Sequence, residues 1–324
     1  MRMWRPERAL RGPFTVTETD IAALNRLFAD AFTDRYRRDG LAGVRVPYLN
    51  ETIWRYAIGL AGAGAMLWRD EGERLVAFNV AHCSGSEGWM GPLCVRPDRQ
   101  LGGIGTEIVT AAVEWLKSRG ARTIGLETMP RTVDNIGFYS RLGFVPGSLT
   151  LTMTSDVQPA KNGPEPEYTT LMPLNAAARR ERIAELGALV GSLLPGSDYT
   201  REIELTLQLS LGDVVVVERD GSPAAFALCH AVPLADGGGR DEVRALKVAA
   251  RDLELLEAVL DAAAAWARRM AIRRLAVRAQ TAYTEAYRTL VRRGFRVRWS
   301  DLRMTLEGFE ERRANGVVWS NWEI

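Results

Sequence analysis

Histidine and cysteine are both scarce in this chain: two histidines (His82 and His230) and three cysteines (Cys83, Cys94 and Cys229) among 324 residues. Two histidines all but exclude a histidine-rich zinc site, so no metal is expected. The cysteines sit inside apolar runs at no familiar ligand or disulfide spacing, and each reads as a buried free thiol in a reducing compartment. No apolar run approaches the roughly eighteen residues that a membrane span needs. The opening residues MRMWRPERALRG contain no apolar stretch of the leader type. Charge of one sign is also missing. Residues 1–160 hold 19 basic and 17 acidic side chains and the remainder 23 and 23. Neither half is basic enough to suggest nucleic acid, and no like-charge run forms a tail. These absences lead to the expectation of a cytoplasmic protein with no nucleic-acid or membrane partner.

What is present looks like ordinary globular material, 47% apolar and 25% charged. The length is too great for one typical domain and comfortable for two. The densest pattern lies between Gly91 and Gly147. An apolar run (Leu93, Cys94, Val95) enters a polar turn with Pro97, then come Gly102, Gly103 and Gly105. Ile108, Val109, Ala112, Val113 and Leu116 follow at helical spacing, with Gly120 as the stop. Thr123 to Glu127 reads as a strand and Asp134 to Leu142 as a second helix. A glycine turn opening a helix favours an anion, because free N–H groups and the helix dipole point at it.

This segment resembles the acyl-coenzyme A binding core of the GCN5-related N-acetyltransferase (GNAT) family. The signature Gln/Arg-x-x-Gly-x-Gly/Ala is met by Gln100, Gly103 and Gly105. A second feature, Asn-x-x-x-Tyr shortly before Gly-Phe, is met by Asn135, Tyr139, Gly143 and Phe144. A dinucleotide-binding turn is the rival, with Glu127 as its acidic residue. Against it, six residues separate Val95 from Gly102, and Ile108 stands where a third glycine belongs.

Around this core, residues 18–38 and 51–60 read as helices, Ala65 to Trp68 and Arg74 to Cys83 as strands, and Ser148 to Thr154 as another strand. The four prolines between Asp156 and Pro173 mark a linker. The second half repeats the order. Helices are expected at Asn175 to Leu194, Arg201 to Leu211, Leu253 to Met270 and Thr284 to Arg292. Strands are expected at Asp213 to Glu218, Pro223 to Ala231, Glu242 to Val248, Arg274 to Arg278 and Arg303 to Leu306. Val95 to Gly143 spans 48 residues and Val248 to Gly294 spans 46. The expectation is therefore a mixed α/β chain of two tandem domains, each a mostly antiparallel sheet flanked by helices. Their bounds would be 1–156 and 174–324, joined by the linker 157–173. In the second copy the turn is Ala249-Ala250-Arg251-Asp252, and the Asn135 and Tyr139 positions become Ala286 and Leu290. That copy is expected to be degenerate.

The resemblance implies an N-acetyltransferase that moves an acetyl group from acetyl-CoA to a primary amine of a small molecule or peptide. The turn Gln100, Leu101, Gly102, Gly103, Ile104, Gly105 and Thr106 would hold the pyrophosphate. Leu93, Cys94 and Val95 would meet the pantetheine arm through their backbone, with the Val95 N–H as oxyanion donor. Asn135 and Phe138 would contact the same arm. Tyr139 would be the general acid, since a phenol near pKa 10 is protonated at neutral pH. Glu87 is the first candidate for the base, with Glu127 and His82 behind it. Trp54 and Tyr56 either wall the acceptor pocket or belong to the core. The alternative function is a non-catalytic acyl-CoA sensor or scaffold, and a homodimer is one possible assembly.

Overall fold

The computed structural model describes residues 10–159 and 165–322. Residues 1–9, five residues of the expected linker (160–164) and the last two residues lie outside the described residues. In the first half, β1 (Arg11–Thr15) leads to α1 (Ile21–Arg38) and α2 (Glu51–Ala61). Then come β2 (Ala65–Arg69), β3 (Leu75–Ser84), β4 (Glu87–Val95), α3 (Ile104–Ser118), β5 (Thr123–Thr128), α4 (Val133–Arg141) and β6 (Phe144–Asp156). The second half runs β7 (Thr169–Thr170), α5 (Ala176–Leu193), α6 (Thr200–Gln208), β8 (Gly212–Arg219), β9 (Ser222–His230) and β10 (Glu242–Ala250). It closes with α7 (Leu253–Arg269), β11 (Arg274–Gln280), α8 (Thr284–Arg292), β12 (Arg296–Leu306) and β13 (Val317–Ser320).

The amphipathic periodicity of α1 places Ile21, Leu24, Leu27, Phe28 and Ala31 on one buried face. Asn25 is buried among them, because its side chain pairs with both the N–H and the C=O of Leu49 at 2.8 Å. Asn50 caps α2 by accepting the Thr52 N–H at 2.9 Å. Trp54 is fully buried against Phe28 and Phe78 and belongs to the core. Tyr56 is buried against His230 of the second half. Neither lines an open pocket.

The two halves share one curled sheet, in the order β1-β2-β3-β4-β5-β12-β6-β11-β10-β9-β8-β7, with β13 paired to β10. Pairing is antiparallel except for β4 with β5 and β10 with β11. The halves exchange their long late strands. β12 lies between β5 and β6, and β6 lies between β12 and β11. The first half's sheet is therefore completed by a strand from the second, and the second half's by a strand from the first. Three strands carry too little pattern to be read ahead of the structure: β1, β7 inside the expected linker, and β13.

Helices α3 and α4 cover one face of the first half, packing Val109, Ala112, Leu116 and Tyr139 onto Ile124, Leu126 and Phe144. Strand alternation turns Glu87, Trp89 and Glu127 to the opposite face. Gly125 lets the Trp89 ring lie flat on β5, since a Cβ there would come within 2.6 Å of it.

Candidate active site

Parallel strands β4 and β5 are paired only from Glu87 to Met90 and from Thr123 to Leu126. Beyond Met90 they part, and a fork opens between them. The other edge of β4 stays paired with β3 as far as Val95, with a bulge at Gly91 and Pro92 between the Asn79–Leu93 and Ala81–Met90 pairs. The Arg96 N–H donates to Val76 O of β3 at 2.8 Å. Peptide groups alternate along a strand, so those of Val95 and Leu93 turn away from β3 and into the fork. Cys94 faces the other way and is buried. Gln100 sits at the mouth. Its Nε2 donates to Val95 O at 3.1 Å and its Oε1 accepts from Arg38 Nη1 at 3.1 Å.

Gly103, in the left-handed region at φ +83°, is the N-cap of α3, and no side chain caps that helix. The space where its Cβ would stand is open. The first N–H groups of α3 therefore face a concavity of bare backbone, which suits an anion. Leu101 is also left-handed (φ 67°) and fully exposed, with Gly102 beside it. Gly105 has a different reason to be glycine, because a Cβ there would press to 3.1 Å from Phe138 Cζ. It lets α3 and α4 approach. Ile104 is buried beneath the turn and Thr106 is exposed on it.

Asn135 is half-buried in the first turn of α4, and Phe138 and Tyr139 follow. Tyr139 is buried against Phe138 and Phe144, with ring centroids at 5.0 and 6.1 Å. Burial, and then the neighbouring Cys94, push its phenol well above its ordinary range, so it carries its proton at any physiological pH. The start of α4 is tied to the end of α1. Thr132 Oγ1 donates to Asp39 at 2.6 Å and Arg131 donates to the Asp39 carbonyl at 2.7 Å.

Glu87 is the first residue of β4 and is buried, with Oε2 accepting from Tyr199 Oη of α6's N-cap at 2.7 Å. It belongs to a polar seam between the halves. Lys247 Nζ, fully buried, donates to Ser320 Oγ at 3.0 Å and lies 3.7 Å from Glu202 and 3.8 Å from the Trp322 ring. Loss of solvent pushes Lys247 down to about 8 and raises Glu202. His82 stacks on Trp322 at 4.2 Å, and burial, with Lys247 nearby, holds its imidazole neutral. Glu127 follows Leu126 and stands at the fork, but its carboxylate accepts from Thr150, Arg278 and Arg303. Two guanidiniums overcome the cost of its burial and keep it below the usual carboxylate range. Val95 and Gln100 meet at the fork, and Tyr139 packs in one cluster with Leu93. Glu87 stands apart, three residues down the paired ladder from Met90, or about 10 Å.

The second half has the same fork, and its own chain fills it. β10 and β11 pair from Glu242 to Ala245 and from Arg274 to Val277, after which β13 lies antiparallel along Lys247–Ala250. The helix start that corresponds to the glycine turn is also filled. Asp252 Oδ1 accepts the Leu255 N–H at 2.8 Å, placing a carboxylate where the first half leaves bare donors. Sequence alone shows the Asp but not the strand. Among the described residues no cluster suits a metal ion, and no helix is long and apolar enough to cross a membrane.

The first half thus combines a forked parallel pair, an uncapped glycine turn and a buried tyrosine. Residues 23–144 match the model of the Acetyltransferase (GNAT) family, so this stretch is a GNAT acetyltransferase domain. No protein of curated function matches the sequence. In structure, an acetyltransferase candidate from Pyrococcus horikoshii superposes with a TM-score of 0.66 at 16% identity, over 98% of this chain and 96% of its own. A GCN5-related N-acetyltransferase from Sphaerobacter thermophilus gives 0.58 at 18%, over 93% and 96%. A tandem GNAT protein of the clavulanic acid biosynthesis pathway gives 0.60 at 14%, over 92% and 98%. These likenesses extend the shared fold across both halves, as a tandem GNAT architecture. The family's cosubstrate is acetyl-CoA.

Proposed function

We propose that the first half transfers the acetyl group of acetyl-CoA to a primary amine, and that the second half has no coenzyme site of its own. The observation that carries this reading is the contrast between the forks. One is open and begins at a bare helix N-terminus, while its counterpart is closed by β13 and Asp252. The turn Gln100–Thr106 would receive the pyrophosphate, the Leu93 and Val95 peptides would meet the pantetheine amides, and Asn135 and Phe138 would flank that arm. The Val95 N–H, turned into the fork, suits the developing oxyanion.

The amine nitrogen forms its bond to the acetyl carbon as the carbon–sulfur bond breaks. Tyr139 supplies the proton that the departing thiolate needs, and the amine gives one up. Glu87 is the proposed terminus for that second proton. Its distance along β4 makes a relay necessary, and Tyr199 is hydrogen-bonded to it. The domain bounds 1–156, 157–173 and 174–324 are proposed as units of sequence repetition, while the sheet itself is shared. The test is acetyl-CoA-dependent acetylation of a panel of primary amines, read as released thiol. Coenzyme binding with no turnover on any amine, and no effect of Tyr139→Phe, would favour an acyl-CoA sensor instead.

A further inference from the structure

We propose that Asp301, on the strand contributed by the second half, binds the ammonium group of the acceptor at the first half's fork. Tyr36 and Trp299 would flank the apolar part of that acceptor. The proposal rests on the amine acetyltransferase reading above and adds a residue and a substrate class to it.

β12 pairs with β5 as Met304 with Leu126, Arg303 with Glu127 and Leu302 with Thr128, so Asp301 stands three residues beyond the level at which β4 and β5 part. It pairs on its other side with Thr150 of β6. The Asp301 carboxylate accepts from Trp299 Nε1 and from Arg278 Nη2, each at 3.0 Å. A carboxylate offers about four lone-pair positions, so acceptor capacity remains. The side chain is 15% exposed, which leaves it reachable while most of it is out of water. Glu127, one layer deeper, has its capacity taken by Thr150, Arg278 and Arg303.

The charge balance points to a cation. Asp301, Glu127 and Glu311 share Arg278 and Arg303, three carboxylates against two guanidiniums. An ammonium group would complete that balance. The aromatic surface points the same way. Trp299 is 39% exposed, large for an indole, and Tyr36 of α1 stands 6.1 Å from it. Both rings can stack on an apolar chain and stabilise a nearby cation through their faces. The last turn of α1 also reaches the coenzyme turn through Arg38 and Gln100. One helical turn therefore touches both sites. Tyr36, Glu127 and Arg278 are the titratable and charged groups that face this carboxylate.

The Trp299 indole N–H donates to Asp301, so its nitrogen–proton NMR signal reports directly on that carboxylate. The probe is 2-phenylethylamine, with 3-phenylpropionate as the carboxylate control, titrated into the ¹⁵N-labelled full chain. Trp299→Phe assigns the signal. The amine is expected to shift it saturably, the carboxylate to leave it still, and Asp301→Asn to weaken amine binding at least about tenfold. Asp301→Glu, which keeps the charge, is expected to retain part of that affinity. No response of Trp299 in the wild type, an equal response to the carboxylate, or unchanged affinity in Asp301→Asn would each overturn the proposal. Calorimetric binding of acetyl-CoA to the same samples separates this from the coenzyme reading. Asp301→Asn is expected to keep that binding, whereas its absence in the wild type would count against the enzyme itself.

Discussion

Glu127 of β5 and Arg303 of β12 meet at 2.6 Å across the boundary between the two halves of the sequence. Arg303 is 1% exposed, stacks 3.9 Å from the Trp89 ring, and also holds Glu311 at 2.7 Å. Replacing it with leucine leaves Glu127 with Arg278 as its one guanidinium and takes the Arg303 partner from Glu311. Arg303→Leu is expected to cost about 3–5 kcal/mol, measured by urea denaturation. A loss under about 1 kcal/mol would show that solvent reaches this pair freely.

Strand exchange makes the halves interdependent. Residues 1–156 expressed alone leave β5 without β12 and β6 without either of its partners, β11 and β12. That fragment is expected to aggregate or remain partly folded, and co-expression with residues 157–324 to recover a soluble complex. The measurement is amide dispersion in NMR spectra of the fragment and of the pair. A well-dispersed monomeric fragment would contradict the shared sheet.

Burial pushes Asp301 up to about 6, against an ordinary value near 3.9. In that window the folded chain binds the proton that the unfolded chain releases, so this group's contribution to stability falls as pH rises from about 4 to 6. Two pH units correspond to about 3 kcal/mol at most. Asp301→Asn lacks the titration, so its stability relative to the wild type is expected to climb across the same window. A difference that stays flat would place Asp301 in water.

Tyr139→Phe removes a proton donor while keeping the ring that packs on Phe138 and Phe144. It is expected to lower kcat by about 10²–10⁴-fold and to leave acetyl-CoA affinity nearly unchanged. Glu87→Gln is expected to lower kcat about 10²-fold, and Tyr199→Phe to lower it less. Equal kcat for wild type and Glu87→Gln would reduce Glu87 to a joint between the halves.

Much of this architecture was legible in local patterns. The periodicity of α1, α3 and α7 and the glycine turn before Ile104 are short-range signals, and the structure has them where the spacing predicts. The motif residues Val95, Gln100, Asn135 and Tyr139 likewise lie within one strand–helix–strand–helix unit. Which strand pairs with β5 could not be read. β6 and β12 are both alternating strands, and the choice between them depends on contacts more than 150 residues apart, such as Glu127 with Arg303. The closure of the second fork was half legible. Asp252 is visible as a missing glycine, whereas β13 is four residues without pattern. Asp301 and Lys247 carried no signal as single charges in ordinary strands, since only the three-dimensional neighbours distinguish them.

The central claim is that the chain binds one acetyl-CoA, at the glycine turn of the first half. Calorimetric titration of the full chain tests it most directly, beside Gly103→Glu and, as a control on the exposed turn of the second half, Arg251→Glu. One site per chain, lost in Gly103→Glu and kept in Arg251→Glu, is the predicted result. Two sites, or a single site that survives Gly103→Glu, would contradict it.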